Sequence, residues 1–208
     1  MDCELKELFG PLNKKLNSGL LSGRVLLDRM RLLDETSRKS AAYADHRYVP
    51  FYYYLGELIQ PESMIEVGFY LGLLSAAFLR SCKTVERYLA FQEPREQYYS
   101  PRIGKANVRD VYRGPFDIYI GEVHDDEFTV KISPNSWDLI ILNDETGYDK
   151  HLLYLDFVWP YLSENGLIVS EYITRHEPAK EAFFAFCAGK NREPLVFDTR
   201  YGTGIVQK

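Results

Sequence analysis

The feature that most constrains the fold is the alternation of short apolar runs with helical patterns after residue 61. The run W-D-L-I-I-L at 137–142 is apolar at nearly every position, as expected for a strand that is buried on both faces. Strands of this kind, alternating with helices, indicate parallel strands joined by helical crossovers. The sequence therefore predicts a doubly wound α/β sheet with helices on both faces.

Seven strands are expected in this part of the chain, at residues 64–67, 88–91, 116–120, 137–142, 167–169, 195–198 and 204–207. Helical patterns lie between them, at residues 73–79, 149–162 and 177–187. Residues 95–108 are polar and are expected to be partly helical, with interruptions at Pro101 and Gly104.

The first sixty residues carry helical spacing and no strand signal. Pro50 is expected to begin a helix over residues 51–59, because proline suits the first turn, and Pro61 is expected to end it. We therefore divide the chain into a helical N-terminal extension, residues 1–60, and an α/β domain, residues 61–208.

The charge of the chain argues against nonspecific binding to nucleic acid. The formal net charge is −5, whereas a nucleic-acid surface usually needs a basic patch that displaces counterions. Residues 14–47 are the local exception, with eight basic and four acidic side chains. We interpret that segment as a solvated helical surface, with a role in holding an anionic substrate as the less favoured interpretation.

The cysteines and the N-terminus favour the cytoplasm. Cys3, Cys82 and Cys187 are odd in number and widely spaced, which is typical of reduced thiols rather than of a disulfide framework or a zinc site. The N-terminus lacks the pattern of a signal peptide, and no apolar run is long enough to span a membrane.

The segment that follows the first expected strand is the main candidate for ligand binding. In a doubly wound sheet, ligands bind beyond the carboxyl ends of the strands, and this segment, 66–72, contains Glu66, Gly68 and Gly72. Glycine lets a backbone approach a ligand closely, and a buried Glu66 needs a cationic or N–H partner. The spacing lacks the G-x-G-x-x-G fingerprint of dinucleotide sites, so NAD is disfavoured.

Three motifs in this order resemble class I S-adenosylmethionine-dependent methyltransferases. The run E-V-G-F-Y-L-G-L-L-S at 66–75 is similar to the first motif of small-molecule O-methyltransferases and of a related bacterial methyltransferase family. W-D-L-I-I-L-N-D-E-T-G-Y at 137–148 resembles their fourth-strand motif, and V-W-P-Y-L-S-E-N-G-L-I-V-S-E-Y at 158–172 resembles their fifth-strand region. The resemblance covers residues 61–208 and implies a Rossmann-like, mostly parallel seven-stranded sheet with an antiparallel C-terminal strand.

The resemblance implies S-adenosylmethionine as the cofactor. The cofactor-binding positions that it implies are Glu66, Gly68, Phe69, Gly72, Gln92, Glu93, Glu122 and Asn143. The family's ribose-binding acid falls where this chain has Gln92 followed by Glu93. The acid near the adenine amine corresponds to Glu122, for which a solvated loop position is an equal alternative.

The catalytic positions depart from the family. Asn143 stands where metal-dependent relatives have an aspartate for Mg²⁺, so that Mg²⁺ stays open but is not favoured. Thr146 stands where relatives have a histidine. We name Glu145 and Glu171 as candidates for a base or a metal-binding pair, and Tyr148 as a side chain that shapes the site.

The expected function is methyl transfer to a small-molecule hydroxyl or amine, with no membrane or nucleic-acid partner and with a homodimer left open. Methyl transfer is an in-line displacement that requires alignment of the reactants but no covalent enzyme intermediate. The main alternative is a non-catalytic binding or interaction protein with the same fold, because Gln92, Asn143 and Thr146 replace polar groups that relatives use. An RNA methyltransferase and a metal-dependent hydroxylase-like relative also stay open.

Overall fold

The computed structural model describes residues 7, 9–12, 14, 48–94, 101–134 and 136–208. Within the basic segment 14–47, every residue except Lys14 lies outside the described residues, so the interpretation of that segment stays a prediction. The division of the chain at residue 60 also stays a prediction.

The described residues form a seven-stranded sheet in the order β3-β2-β1-β4-β5-β7-β6. The strands are β1 Ser63–Val67, β2 Arg87–Gln92, β3 Phe116–Ile120, β4 Trp137–Leu142, β5 Leu162–Glu171, β6 Leu195–Phe197 and β7 Thr203–Gln207. The first five pair in parallel, and β7 runs antiparallel to both β5 and β6. The predicted doubly wound sheet with an antiparallel C-terminal strand is confirmed.

Six α-helices and one short 3-10 turn lie between residues 48 and 208 of the described part, and residues 7, 9–12 and 14 are also helical. The six helices and the turn are α1 Tyr48–Ile59, α2 Leu73–Ser81, α3 Pro101–Val111, α4 Asp126–Ile132, α5 Tyr148–Val158, the 3-10 turn Trp159–Tyr161 and α6 Glu177–Gly189. Among these helices, none is long and apolar enough to cross a lipid bilayer.

Two helices differ from the expectations. Pro101 and Gly104 both lie within the described helix α3, Pro101 as its first described residue, and a proline in a first turn loses no intrahelical hydrogen bond. The helix α4 was not expected, because its acidic start resembles a solvated loop. Asp126 and Glu127 lie in its first turn, where negative charge is favourable, and Phe128 and Ile132 are buried.

The sheet is covered on both faces by apolar side chains. On one face, α1 and α2 pack against Met64, Ile141 and Val169. On the other face, residues of α4, α5 and α6 pack against Ile65, Ile140 and other residues of the central strands. Burial on both faces explains why β1 and β4 are almost wholly apolar, and it makes the one acid within β1, Glu66, an exception that requires explanation.

The strand order reverses between β1 and β4. From β1 the chain proceeds outward to β2 and β3, then returns to β4 on the other side of β1. Adjacent crossovers that go in opposite directions leave a gap at the carboxyl ends of the strands, where ligands bind in this fold class. We call this gap the crevice: it lies between the loop 68–72 after β1 and the loop 143–147 after β4.

Candidate functional site

The loop after β1 turns sharply at its glycines. Gly68 has φ 89° and Gly72 has φ 62°, in the left-handed region that favours glycine. A Cβ atom at Gly68 would lie 2.3 Å from the carbonyl oxygen of Asn143, so that β4 itself leaves no room for a side chain. Gly68 is therefore needed for the packing of β1 against β4, whatever the loop binds.

The loop is fixed to the strands on both sides. The backbone N–H groups of Gly68 and Phe69 donate to the carbonyl of Phe91, at 3.0 and 3.3 Å. The amide oxygen of Gln92 accepts from the N–H of Tyr70 at 2.8 Å, and the amide nitrogen of Asn143 donates to the carbonyl of Gly68 at 3.1 Å. The two amides that were expected to bind the cofactor thus hold the loop in place.

The two aromatic side chains of the loop point in different directions. Phe69 is buried in the core and lies 5.7 Å from Phe116, ring centre to ring centre. The hydroxyl of Tyr70 donates to Asp144 at 2.7 Å, which joins the loop after β1 to the loop after β4. The Tyr70–Asp144 hydrogen bond therefore spans the crevice.

Glu66 is fully buried at the end of β1. Its Oε2 accepts hydrogen bonds from Ser75 and from Tyr88, the latter at 2.6 Å, whereas its Oε1 has no hydrogen-bond partner in the described structure. Burial raises the pKa of Glu66 to about 7, although the polar side chains of Ser75, Tyr88 and Asn143 lower it. One oxygen of this acid is thus left for a ligand that donates hydrogen bonds.

Glu93, after β2, is an acid with partners of its own. Lys150 of α5 forms an ion pair with it, and the hydroxyl of Tyr154 donates to the same oxygen. Burial and the neighbouring Glu93 raise the pKa of the Tyr154 phenol far above its ordinary value. The position that was expected to hold ribose therefore carries a carboxylate whose charge is already compensated by a lysine.

Glu122, after β3, is exposed, and its backbone N–H donates to Asp125 at 2.8 Å. Asp125 also accepts from the hydroxyl of Tyr119 at 2.7 Å, and this hydrogen bond is the main reason that the pKa of Asp125 lies below its ordinary value. The loop is thus shaped by Asp125, and the carboxylate of Glu122 lies in solvent at the rim of the sheet.

Glu171 ends β5 and is fully buried. Its Oε1 accepts from the hydroxyls of Tyr52 on α1 and Thr203 on β7, the latter at 2.7 Å. Its Oε2 has no hydrogen-bond partner among the described residues, and burial raises its pKa to about 7. Glu171 was expected to face an open cleft, whereas α1 and β7 cover it.

The other catalytic candidates lie nearer the surface. Glu145 and Tyr148 are exposed at the loop after β4. Thr146, at the family's histidine position, is buried 3.4 Å from Nδ1 of His151, whose Nε2 lies 2.8 Å from the hydroxyl of Ser170. Burial, with the charge of His176, lowers the pKa of His151 to about 4, so that the neutral ring links the loop to β5.

Several solved structures with similar folds are described as methyltransferases. An O-methyltransferase from Bacillus cereus in complex with SAH is 11% identical, with a TM-score of 0.63 over 95% of this chain and 100% of the other. A methyltransferase from Geobacter sulfurreducens is 15% identical, with a TM-score of 0.62 over 96% of each chain. An SAH-bound methyltransferase from Podospora anserina is 16% identical, with a TM-score of 0.58 over 88% and 92%.

The chain has the class I methyltransferase fold. At these identities the likeness concerns the fold alone. No protein-family model matches the sequence, and no curated protein matches it at the level of sequence.

Within the methyltransferase fold, the described residues do not favour a metal site. No group of three or more histidine, cysteine, aspartate or glutamate side chains could hold a metal ion in the described ranges. The amide nitrogen of Asn143 donates to the carbonyl of Gly68. Oε1 of Glu171 accepts hydrogen bonds from the hydroxyls of Tyr52 and Thr203, and Mg²⁺ prefers carboxylate oxygens to such hydroxyls as ligands.

Sequence reasoning did not identify several residues that shape this site. They are Tyr70, Asp144, Lys150 and Tyr154. Tyr70 and Asp144 lie inside the first and fourth-strand motifs, so that their positions at strand ends were a usable signal. Tyr52 and Tyr154 act on acids that are 119 and 61 residues away in the chain, and no local pattern predicts such contacts.

Proposed function

We propose that the protein transfers a methyl group from S-adenosylmethionine to a small-molecule hydroxyl or amine. The observation that carries this proposal is the bare Oε1 of Glu66, buried beside the glycine loop at the switch point of a methyltransferase fold. A buried carboxylate oxygen without a donor is costly, and the charged amino group of the methionine part offers one.

The residues at the strand ends fit the cofactor. Glu66 would hold its amino group, the glycine loop would give its backbone room, and Glu93 would meet the ribose hydroxyls while Lys150 and Tyr154 hold it in position. Glu122, at the end of β3, would lie near the adenine. When bound, the cofactor supplies an electrophilic methyl group on a positively charged sulfur.

The chain's own residues would align the acceptor and receive its proton. Glu171 is the candidate base. Like Glu66, it lies on a strand next to β4, at the carboxyl end of the parallel strands, and one of its oxygens has no partner among the described residues. Glu145 and Tyr148 lie exposed at the loop after β4 and would shape the outer part of the site. The buried free thiols Cys82 and Cys187 support a reducing, cytoplasmic setting.

Isothermal titration calorimetry with S-adenosylmethionine and SAH tests the proposal. We expect both ligands to bind the wild-type protein, and we expect Glu66→Gln to weaken the binding about 30-fold or more, because a neutral amide replaces the charge-assisted acceptor. Glu181→Gln, at an exposed acid of α6 outside the site, is the matched control and should bind as the wild type does.

A non-catalytic binding protein is the second candidate, and the Tyr70–Asp144 hydrogen bond favours it. This hydrogen bond joins the two loops that border the crevice. Calorimetry separates the two candidates, because a protein that gives no binding heat at millimolar ligand would be the non-catalytic one.

A further inference from the structure

The structure places two buried acids on one face of the sheet. Glu66 is paired in register with Ile141 of β4, and Ile141 is paired with Val169 of β5. Side chains two residues apart on a strand share a face, so that Glu171 projects on the same side as Val169 and Glu66. The two carboxylates thus flank β4 beneath α1.

Neither acid has a cation beside it in the part of the chain that the structure describes. The ion pairs within that part involve other acids. The side chains that act on Glu66 and Glu171 through hydrogen bonds are uncharged: the hydroxyls of Ser75, Tyr88, Tyr52 and Thr203, and the amide of Asn143. Burial raises the pKa of the Tyr52 phenol, and the negative charges of Glu171 and Glu66 raise it further. The face therefore attracts positive charge and opposes the burial of a further anion beside the two acids.

We propose that the acceptor is an amine that arrives as its ammonium ion, and that Oε2 of Glu171 receives its proton. This inference rests on the function proposed above and names the substrate class of the same site. Oε2 is the appropriate atom because Tyr52 and Thr203 already occupy Oε1.

The proton and electron balance of the step is simple. The ammonium N–H bond breaks and its proton passes to Glu171, which becomes a neutral carboxylic acid. The freed nitrogen lone pair forms a bond to the methyl carbon while the carbon–sulfur pair returns to sulfur, which leaves a neutral thioether and an N-methylammonium product. A carboxylate acceptor would instead place a third negative charge beside Glu66 and Glu171, at an electrostatic cost.

Tyr52 is a positioning residue in this scheme. Its hydroxyl donates to Glu171 and lowers the pKa of that acid against the effect of burial. Tyr52 from α1 and Thr203 from β7 donate hydrogen bonds to Glu171, and the charges of Glu66 and Tyr172 act on the Tyr52 phenol. Activity should therefore decline as pH falls through about 7, where Glu171 becomes protonated.

The experiment uses the full chain, S-adenosylmethionine labelled on its methyl group, and a small-molecule metabolite extract that is separated afterwards by ion exchange. We expect the label in a new cationic product that a cation exchanger retains and that elutes apart from unreacted S-adenosylmethionine, which is itself a cation. Glu171→Gln should lower this incorporation about 100-fold or more while SAH binding changes less than about 3-fold. Tyr52→Phe should keep substantial activity, but the pH at which its activity is half-maximal should be higher than in the wild type, because the variant lacks the hydrogen bond that lowers the pKa of Glu171.

The outcomes separate this inference from the proposed function. If the wild-type protein does not bind S-adenosylmethionine, the proposed function fails. If it binds but the label enters neutral or anionic products, or no product, the amine assignment is overturned. Full activity of a folded Glu171→Gln variant would overturn the role of Glu171. The charge of the labelled product tests the substrate class even if that variant does not fold.

Discussion

Acidic side chains at neighbouring strand ends are held in two different ways. After β2, Glu93 is paired with Lys150 and receives the hydroxyl of Tyr154. At the ends of β1 and β5, Glu66 and Glu171 receive hydrogen bonds from uncharged side chains only, and each keeps one oxygen without a partner in the described structure. The charge of Glu93 is thus compensated by a side chain of the protein. The charges of Glu66 and Glu171 are compensated only when a proton or a cationic ligand is bound.

This difference indicates where the protein depends on its ligand. A carboxylate with a lysine beside it is stable in the empty protein, while a buried carboxylate without a cation is costly unless it takes up a proton. The acids of β1 and β5 are therefore expected to weaken the empty protein at neutral pH and to be stabilised by a bound cation.

The largest effect should appear in the pH dependence of stability. Folding raises the pKa of Glu66 and Glu171 from 4.5 to about 7, so that the folded protein binds more protons between these values. The stabilising contribution of the two protonated acids to the free energy of unfolding is fully present below pH 4.5. It is lost as pH rises through 7, by at most about 3 kcal/mol for each acid. Urea unfolding of Glu66→Gln should show a gain relative to wild type at about pH 8 that is absent near pH 4.5.

Glu145→Gln is the control for this comparison. Its carboxylate is exposed, so that its effect on the free energy of unfolding should stay below about 0.5 kcal/mol at both pH values. An equal effect of Glu66→Gln at the two pH values would show that the buried acid does not titrate as described.

A smaller effect is expected when the compensated acid loses its partner. Lys150→Met leaves the carboxylate of Glu93 nearly buried without a cation, which should lower the free energy of unfolding by about 1–2 kcal/mol, a reduced value because Lys150 is 40% exposed. Glu93→Gln in the same chain should recover most of that loss. Chemical denaturation of the two single variants and the double variant measures the coupling.

The exposed pair Lys180–Glu177 gives the matched control for the lysine change. Both of its side chains are largely exposed, so that Lys180→Met should change the unfolding free energy by less than about 0.5 kcal/mol. If Lys150→Met were equally harmless, the contrast between Glu93 and the other two acids would be lost.

The smallest effect concerns the hydrogen bond across the crevice. Tyr70→Phe removes the donor to Asp144 and should cost about 1 kcal/mol or less, measured by thermal unfolding. Tyr148→Phe, at an exposed tyrosine of the same region, should leave the midpoint unchanged. A loss beyond about 3 kcal/mol in Tyr70→Phe would mean that Tyr70 supports the core rather than the crevice.

The sheet could be predicted from sequence because its signals are local. The apolar run of β4 and the alternation of strand and helix patterns require no knowledge of distant partners. The helix α4 was missed because the first-turn acids Asp126 and Glu127, which favour a helix start, also occur in solvated loops.

The site could be predicted only as a set of positions. Sequence places Glu66, Glu93 and Glu171 at strand ends, but their electrostatic states depend on Tyr88, Lys150 and other side chains brought in by folding. The burial of Glu171 depends on Tyr52, from the segment that precedes the sheet. No pattern within the motifs distinguishes an acid that is paired from one that is bare.

A crystal structure of the protein with SAH at saturating concentration tests the central claim most directly. We expect density for the ligand in the crevice, with a donor from its amino group at Oε1 of Glu66 and with the Tyr70–Asp144 hydrogen bond broken or shifted. An empty crevice, with Tyr70 still bonded to Asp144 and Oε1 of Glu66 still bare, would contradict the assignment of this loop as the cofactor site.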